Sequence, residues 1–180
     1  MESVPQGFHY LKLRERSCST RLVCRPGHPL LARARQRGGV TMEEVLSCGF
    51  VEITWRPTNY FRLAKSREGE AFGSRRVVVK TPYFMGAAKI VSESDLLLPL
   101  SSLMADWCIE QGFLADLPVI DHPKLFTDFE PKLIWHDRSH LDPAMQWLRG
   151  MILSAVRDEE KKEAERMLSR GAGAEKETTP

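Results

Sequence analysis

No Cys-x-x-Cys pair stands anywhere in these 180 residues, and Cys18, Cys24, Cys48 and Cys108 keep no metal-ligand rhythm with histidine. The spacing excludes a zinc finger and a thioredoxin-like redox pair. Long apolar runs are missing too. The longest, Leu96–Leu98 with Leu100 beyond Pro99, is far too short to span a bilayer. Met1 to Lys12 holds no basic leader followed by an apolar stretch, so a cytoplasmic protein with reduced thiols and no membrane partner is expected. Catalytic signatures are equally absent. There is no Gly-x-Ser-x-Gly elbow, no cysteine in a recognisable catalytic context, and no phosphate loop at Gly38-Gly39 or Gly171. The chain reads as a protein that is not an enzyme and needs no cofactor.

What is present is the material of a globular domain. Hydrophobic residues are 42% and charged residues 28%, enough apolar side chain for a buried core. A formal net charge of +2 argues against a dedicated polybasic nucleic-acid binder. The charge is unevenly placed. Residues 1–40 carry eight Lys/Arg against two acids, and residues 91–130 carry eight acids against one Lys. The arginines of Arg14–Arg37 spread over strand, turn and loop without interleaved stacking aromatics, so a solvated face is expected there and no DNA-binding residues.

Short strand-like runs alternate with helix-like ones. Arg21–Arg25 reads as a strand ending in the Pro26-Gly27 turn, after which His28 is expected near the surface. Thr41 opens a helix as a capping box with Glu44. Phe50–Trp55 alternates with period two. Arg76–Lys80, with three consecutive valines, suits a strand buried on both faces. Thr81 is read as a helix cap with Pro82 at the first helical position, and that helix runs to about Val91. Asp95–Leu98 is a short strand. Ser101 or Ser102 then caps a helix with Leu103, Met104, Trp107 and Cys108 on one face, ending at Gly112. Leu117–Ile120 and Pro131–His136 read as strands. Asp142 caps the last helix, whose Met145, Leu148, Ile152, Ala155 and Val156 share a stripe, with an Asp158–Lys162 pair beyond. Residues 171–180 read as a disordered tail. Strands alternating with helices point to an α/β fold with mainly parallel sheet.

Three colinear blocks carry a resemblance. They are Arg21–Leu31 (RLVCRPGHPLL), Arg75–Ala105 (RRVVVKTPYFMGAAKIVSESDLLLPLSSLMA) and Leu133–Arg149 (LIWHDRSHLDPAMQWLR). From Phe8 to about Val156 the chain resembles the effector-binding domain of LysR-type transcriptional regulators, in the branch that senses small aromatic inducers. The resemblance implies a periplasmic-binding-protein-like (type 2) bilobal fold with the second lobe complete and the first partial. The expected divisions are 1–40 for partial first lobe and crossover, 41–120 for the second lobe, 121–158 for the return segment, and 159–180 for a charged extension and tail. The family's winged helix-turn-helix is not in this sequence, so the chain is expected to be an N-terminally truncated member. Its partners would be a small-molecule inducer, further copies in a homo-oligomer, and DNA only through the missing helix-turn-helix. A standalone small-molecule-binding protein of the same fold is the rival reading. Two departures from the family pattern are Ser101, where a proline is usual, and Phe50, where relatives often carry histidine.

The site expectation combines that resemblance with a general rule. Ligands of open parallel sheets bind beyond the carboxyl ends of the strands. The strand at Arg76–Lys80 delivers the chain to Thr81, Pro82, Tyr83 and Phe84, where a helix start suits a carboxylate and the aromatics could form a wall. Phe50 and Thr54 share a side of the neighbouring strand, and Phe50 reads as well as plain core. Pro118 matches a loop that approaches the cleft in relatives. His136 and His140 are four apart, yet they precede the helix start at Asp142-Pro143, and with His122 they are not read as a metal site.

Overall fold

Two strands whose successive residues are buried in opposite layers organise the larger part of this protein. The computed structural model describes residues 5–54, 62–63, 67–121 and 126–174. In chain order the elements are β1 (Phe8–Lys12), β2 (Thr20–Cys24), α1 (Pro29–Arg37), α2 (Met42–Leu46), β3 (Gly49–Ile53), β4 (Arg62–Leu63), α3 (Arg67–Gly73) and β5 (Val77–Thr81). They continue with α4 (Phe84–Ser92), β6 (Leu96–Ser101), α5 (Ser102–Glu110), β7 (Ala115–Asp116), β8 (Phe126–Thr127), β9 (Lys132–His136) and α6 (Pro143–Ala174). The chain forms two compact units, one of residues 18–129 and one of 1–17 with 130–180. The first therefore begins at Cys18, where the sequence suggested a division at Thr41. The reason is β2, which pairs inside the same sheet as β6 and β7.

Within 18–129, five strands lie in the order β5-β3-β6-β2-β7. β3 is parallel to β5 and β6, while β2 runs antiparallel to β6 and β7. Leu22, Cys24, Phe50 and Leu97 project to one face, against Leu30, Leu31 and Ala34 of α1, Met42 and Val45 of α2, and Phe72. Val23, Val51, Ile53, Leu98 and Leu100 project to the other, against Ala87, Ala88 and Val91 of α4 and Ala105 and Cys108 of α5. Neighbouring residues thus serve opposite layers, as a period of two requires. At about 25 cal/mol per Å² of apolar surface removed from water, these layers supply the main driving force of the unit. Pro99 sits inside β6 although it has no N–H to give. Its pairing with β3 ends at Leu97, before the proline would have to donate.

Several local expectations hold. The Thr41 capping box is complete: the Thr41 hydroxyl accepts from Glu44 N at 3.3 Å, and Glu44 Oε2 accepts from Thr41 N at 3.0 Å. The Asp121 carboxylate accepts from Met42 N at 2.9 Å, adding negative charge at the same helix start. Asp142 caps α6 by accepting from Ala144 N at 2.8 Å. All four cysteines are free thiols.

Others are corrected. β5 is an edge strand, so its three valines are not buried on both faces, and Val78 is 49% exposed. The strands enclosed on both faces are β3 and β6. Thr81 ends β5, Tyr83 is the N-cap of α4, and Pro82 lies before the helix. The segment after Gly27 is a helix, because His28 caps it: Nδ1 accepts from Leu30 N at 3.1 Å. His28 is buried at 4% exposure, not near the surface. On α5 the buried pair is Ala105 and Cys108, while Trp107 is exposed and packs on Phe113. The strand expected at Leu117–Ile120 lies earlier, at Ala115–Asp116, with Val119 making a lone bridge to Val40. Residues 171–174 continue α6 as helix. Lys162 pairs with Glu159 at 3.4 Å, one turn back on the helix, instead of with Asp158. Trp55 and His122 lie outside the described residues.

The unit of 1–17 with 130–180 is thinner. β1 and β9 form a two-stranded antiparallel sheet, with Phe8 opposite His136 and Lys12 opposite Lys132. Arg14 binds Glu163 and Glu160 on α6, and Glu160 Oε1 accepts from Glu15 N at 3.0 Å. Tyr10 and Ile134 are each 51% exposed and Trp147 68%. Met145 and Leu148 of the expected stripe are exposed as well, while Ile152 and Val156 are half-buried. An isolated two-stranded sheet is marginal in water.

Two outcomes follow. Hydrogen exchange should be slowest at β3 and β6 and faster at β1 and β9; equal protection of both sets would refute this ranking of the units. Thr41→Ala should cost about 1 kcal/mol in a denaturant midpoint. The amide bond from Thr41 holds the Glu44 carboxyl below its ordinary value of 4.5. A depressed carboxyl stabilises the fold above the unfolded value, so this contribution is complete above about pH 4.5 and is lost as the pH falls further. In Glu44→Gln, that part of the acid dependence should vanish.

Candidate ligand site

Because β3, β5 and β6 are parallel, their last residues Ile53, Thr81 and Ser101 meet one edge of the sheet. The chain is tied there: Thr54 N donates to Thr81 O at 2.9 Å, and Tyr83 N donates to the Thr81 hydroxyl at 3.2 Å. This short turn delivers Tyr83 to the start of α4. Tyr83 makes no side-chain cap bond, so the first amides of the helix are not covered by its side chain. First-turn amides have no partner within their own helix and carry the positive end of its dipole. Tyr83 is 73% exposed, Pro82 is exposed beside it in the chain, and Thr54 is exposed where it bonds Thr81. Phe84 is half-buried, packed against the layer formed by α4 and α5. Thr54, Thr81, Pro82 and Tyr83 are thus brought together.

Phe50 and Pro118 are not brought to that group. Phe50 is 0% exposed, and its ring meets Phe72 edge-on at 5.2 Å. Pro118 follows β7, the opposite edge strand, four strand spacings from β5. At about 4.8 Å per spacing this is about 19 Å. Its carbonyl accepts from Val40 N at 2.8 Å. Gly39 permits that approach, since a Cβ there would lie 2.8 Å from the Pro118 oxygen and 2.4 Å from Ile120 Cγ2.

One constellation was missed by sequence reasoning. The Arg75 guanidinium lies 4.8 Å from the Phe72 ring centre and 5.6 Å from that of Phe50. It donates to Glu52 Oε2 at 2.7 Å with its side chain 4% exposed, and Phe72 in turn meets Phe126 edge-on at 5.3 Å. Burial pulls Arg75 below its ordinary value, and the neighbouring Glu52 charge opposes that shift. The only sequence signal was Glu52 two residues along from Phe50, on the same side of a strand.

Among the described residues no group of three His, Cys, Asp or Glu side chains could hold a metal ion. The histidines have other tasks. His136 Nδ1 accepts from Arg138 N at 3.1 Å, and His140 Nδ1 accepts from Trp135 Nε1 at 3.2 Å. His9 stacks on His140 at 3.9 Å and binds Asp137 at 2.7 Å, which holds that carboxyl below its ordinary range. Burial, with Asp116 nearby, pushes the Cys24 thiol up to about 12, so it is not a nucleophile near neutrality.

No protein-family profile matches the chain. It is 30% identical over 156 residues to the HTH-type transcriptional regulator SyrM of Rhizobium meliloti strain 1021, covering 87% of this chain and 45% of that protein. It is 28% identical over 137 residues to the HTH-type transcriptional activator NahR of Pseudomonas putida, covering 76% and 42%. The chain thus spans under half the length of these curated relatives. Among solved structures, the regulatory domain of MexT, a transcriptional activator in Pseudomonas aeruginosa, superposes with a TM-score of 0.61 at 21% identity, covering 85% of this chain and 70% of that one. CrgA, a LysR-type transcriptional regulator from Neisseria meningitidis, gives 0.62 at 12%, covering 87% and 50%. These bear out the expected α/β, periplasmic-binding-protein-like type 2 fold class. Among the described residues no helix is long and apolar enough to cross a membrane. By sequence the chain is a homologue of HTH-type transcriptional regulators, and by fold it corresponds to the regulatory domain of the LysR-type members.

Proposed function

We propose that the chain senses a small aromatic or carboxylate inducer for a LysR-type regulator, with the inducer seated at the edge formed by Thr54 and Thr81–Phe84. The observation that carries the reading is the start of α4, where Tyr83 makes no side-chain cap bond and its ring is 73% exposed. An inducer carboxylate would accept from those amides, and its ring would lie on Tyr83. Phe50, packed on the face of the sheet opposite α4, and Pro118 would not take part.

An inducer that binds one arrangement of the protein better than another shifts the population toward it by its differential affinity. In a homo-oligomer that shift would change how a helix-turn-helix domain, in the part of the relatives this chain does not span, meets its promoter. The reading needs no cofactor and no catalysis, and it places the protein in the cytoplasm with its DNA.

The test joins this chain to the N-terminal part of a close relative and titrates benzoate and salicylate by calorimetry. Tyr83→Ala should weaken binding by about 1–3 kcal/mol, the range for losing a buried aromatic contact or a buried hydrogen bond. Unchanged affinity in a chimera that binds would remove Tyr83 from the site and with it this placement of the inducer.

A further inference from the structure

A concavity opens at the other end of the same sheet, where β3, β5 and β6 begin. It has a volume of about 570 Å³, within the range of small-molecule sites, and lies wholly in residues 28–96. Leu30, Leu96 and Cys48 supply an apolar wall, and Arg33 and Arg76 border it. Gly49 shapes the floor: a Cβ there would run into Val78 Cγ2 at 2.7 Å and Leu96 Cδ2 at 2.8 Å, and would lie 3.2 Å from Arg76 Nη2. The head of Arg76 therefore lies directly over Gly49.

The charges around this cleft do not cancel. Asp95 is taken by Arg25, at 2.7 Å from Nη2 and 2.8 Å from Nε. Glu44 is shared between Arg33 at 3.4 Å and Arg37 at 3.5 Å. Among the described residues Arg76, exposed at the rim of the cleft, has no carboxylate within ion-pair distance. His28 adds no negative charge, since Nδ1 accepts from Leu30 N and Nε2 is left to donate to Asp95 O at 3.3 Å. The first turn of α1 forms part of the wall, and its dipole adds positive potential.

We infer that this cleft binds a small organic monoanion with an apolar body, its carboxylate on Arg76 and Arg33 and its hydrocarbon against Leu30, Leu96 and Cys48. The apolar wall disfavours inorganic phosphate, which would have polar partners on one side only. A guanidinium without a carboxylate partner at the rim of an apolar cleft suits one carboxylate held bidentately. The site is separate from the edge at Tyr83, and the inference does not depend on the inducer reading.

Cys48 reports on occupancy, because it is half-buried in the cleft while Cys18, Cys24 and Cys108 are buried elsewhere. Full-length protein is alkylated with iodoacetamide and followed by intact mass, with 4-phenylbutyrate or the neutral 4-phenylbutanol added. The acid should slow alkylation of Cys48 at least fivefold, and the alcohol should not at equal concentration. Arg76→Gln should raise the half-protecting concentration about tenfold, Arg76→Lys should recover most of it, and Tyr83→Ala should leave it unchanged. No protection by the acid, equal protection by the alcohol, or full protection in a folded Arg76→Gln would each overturn the inference. The comparison of acid with alcohol needs no variant, so the inference stays testable even where Arg76→Gln fails to fold.

Discussion

Burial of β3 and β6 on both faces is the constraint on which the rest of residues 18–129 depends. Leu97 and Leu98 are neighbours in the chain yet belong to different hydrophobic layers, and Phe50 and Val51 divide in the same way. A strand with two apolar faces must be sandwiched, so α1 and α2 are required on one side and α4 and α5 on the other. This fixes where each βα connection crosses and aligns the carboxyl ends of three parallel strands at one edge. Tyr83 is exposed there because the polypeptide must leave β5 and turn back over the sheet as α4.

The polar groups inside this sandwich serve the packing. Arg75 is held by Glu52 and by the faces of two phenylalanines, so its charge is compensated where water is excluded. Phe50 is consequently part of a mixed aromatic and ionic layer, which accounts for its complete burial. Arg76 is adjacent in sequence, at the same end of β5, but has a different environment. Adjacent residues point to opposite sides of an extended chain, and one arginine enters the core while the other borders an open cleft.

Residues 1–17 with 130–180 follow other physics. A two-stranded sheet and one long helix cannot enclose their own apolar side chains, and Tyr10, Ile134 and Trp147 remain exposed. Rings and charges hold this unit: the coplanar Trp135 and His140, His9 stacked on them, and Arg14 between two glutamates of α6. The matched stretch covers less than half of each of the two curated relatives.

Local rules legible in the residues were reliable wherever a short segment decides its own conformation. The Thr41 capping box, the Asp142 cap and the period-two run at Phe50 depend on hydrogen bonds and alternation within a few residues, and all three appear as expected. The three blocks at Arg21, Arg75 and Leu133 were also enough to indicate the α/β fold class. Position within the sheet was not legible. Three valines in a row suit a central strand or an edge strand equally, and only strand order placed β5 at the edge. The helix at Pro29–Arg37 was hidden because its cap is a histidine, whose ring nitrogen replaces the usual hydroxyl or carboxylate. Which aromatics stay exposed was decided by tertiary structure alone. Phe50 and Tyr83 are both apolar rings near strand ends, yet one is enclosed by Phe72 and Arg75 and the other stands in solvent. The partners that enclose a ring come from distant parts of the chain, so no local pattern records them.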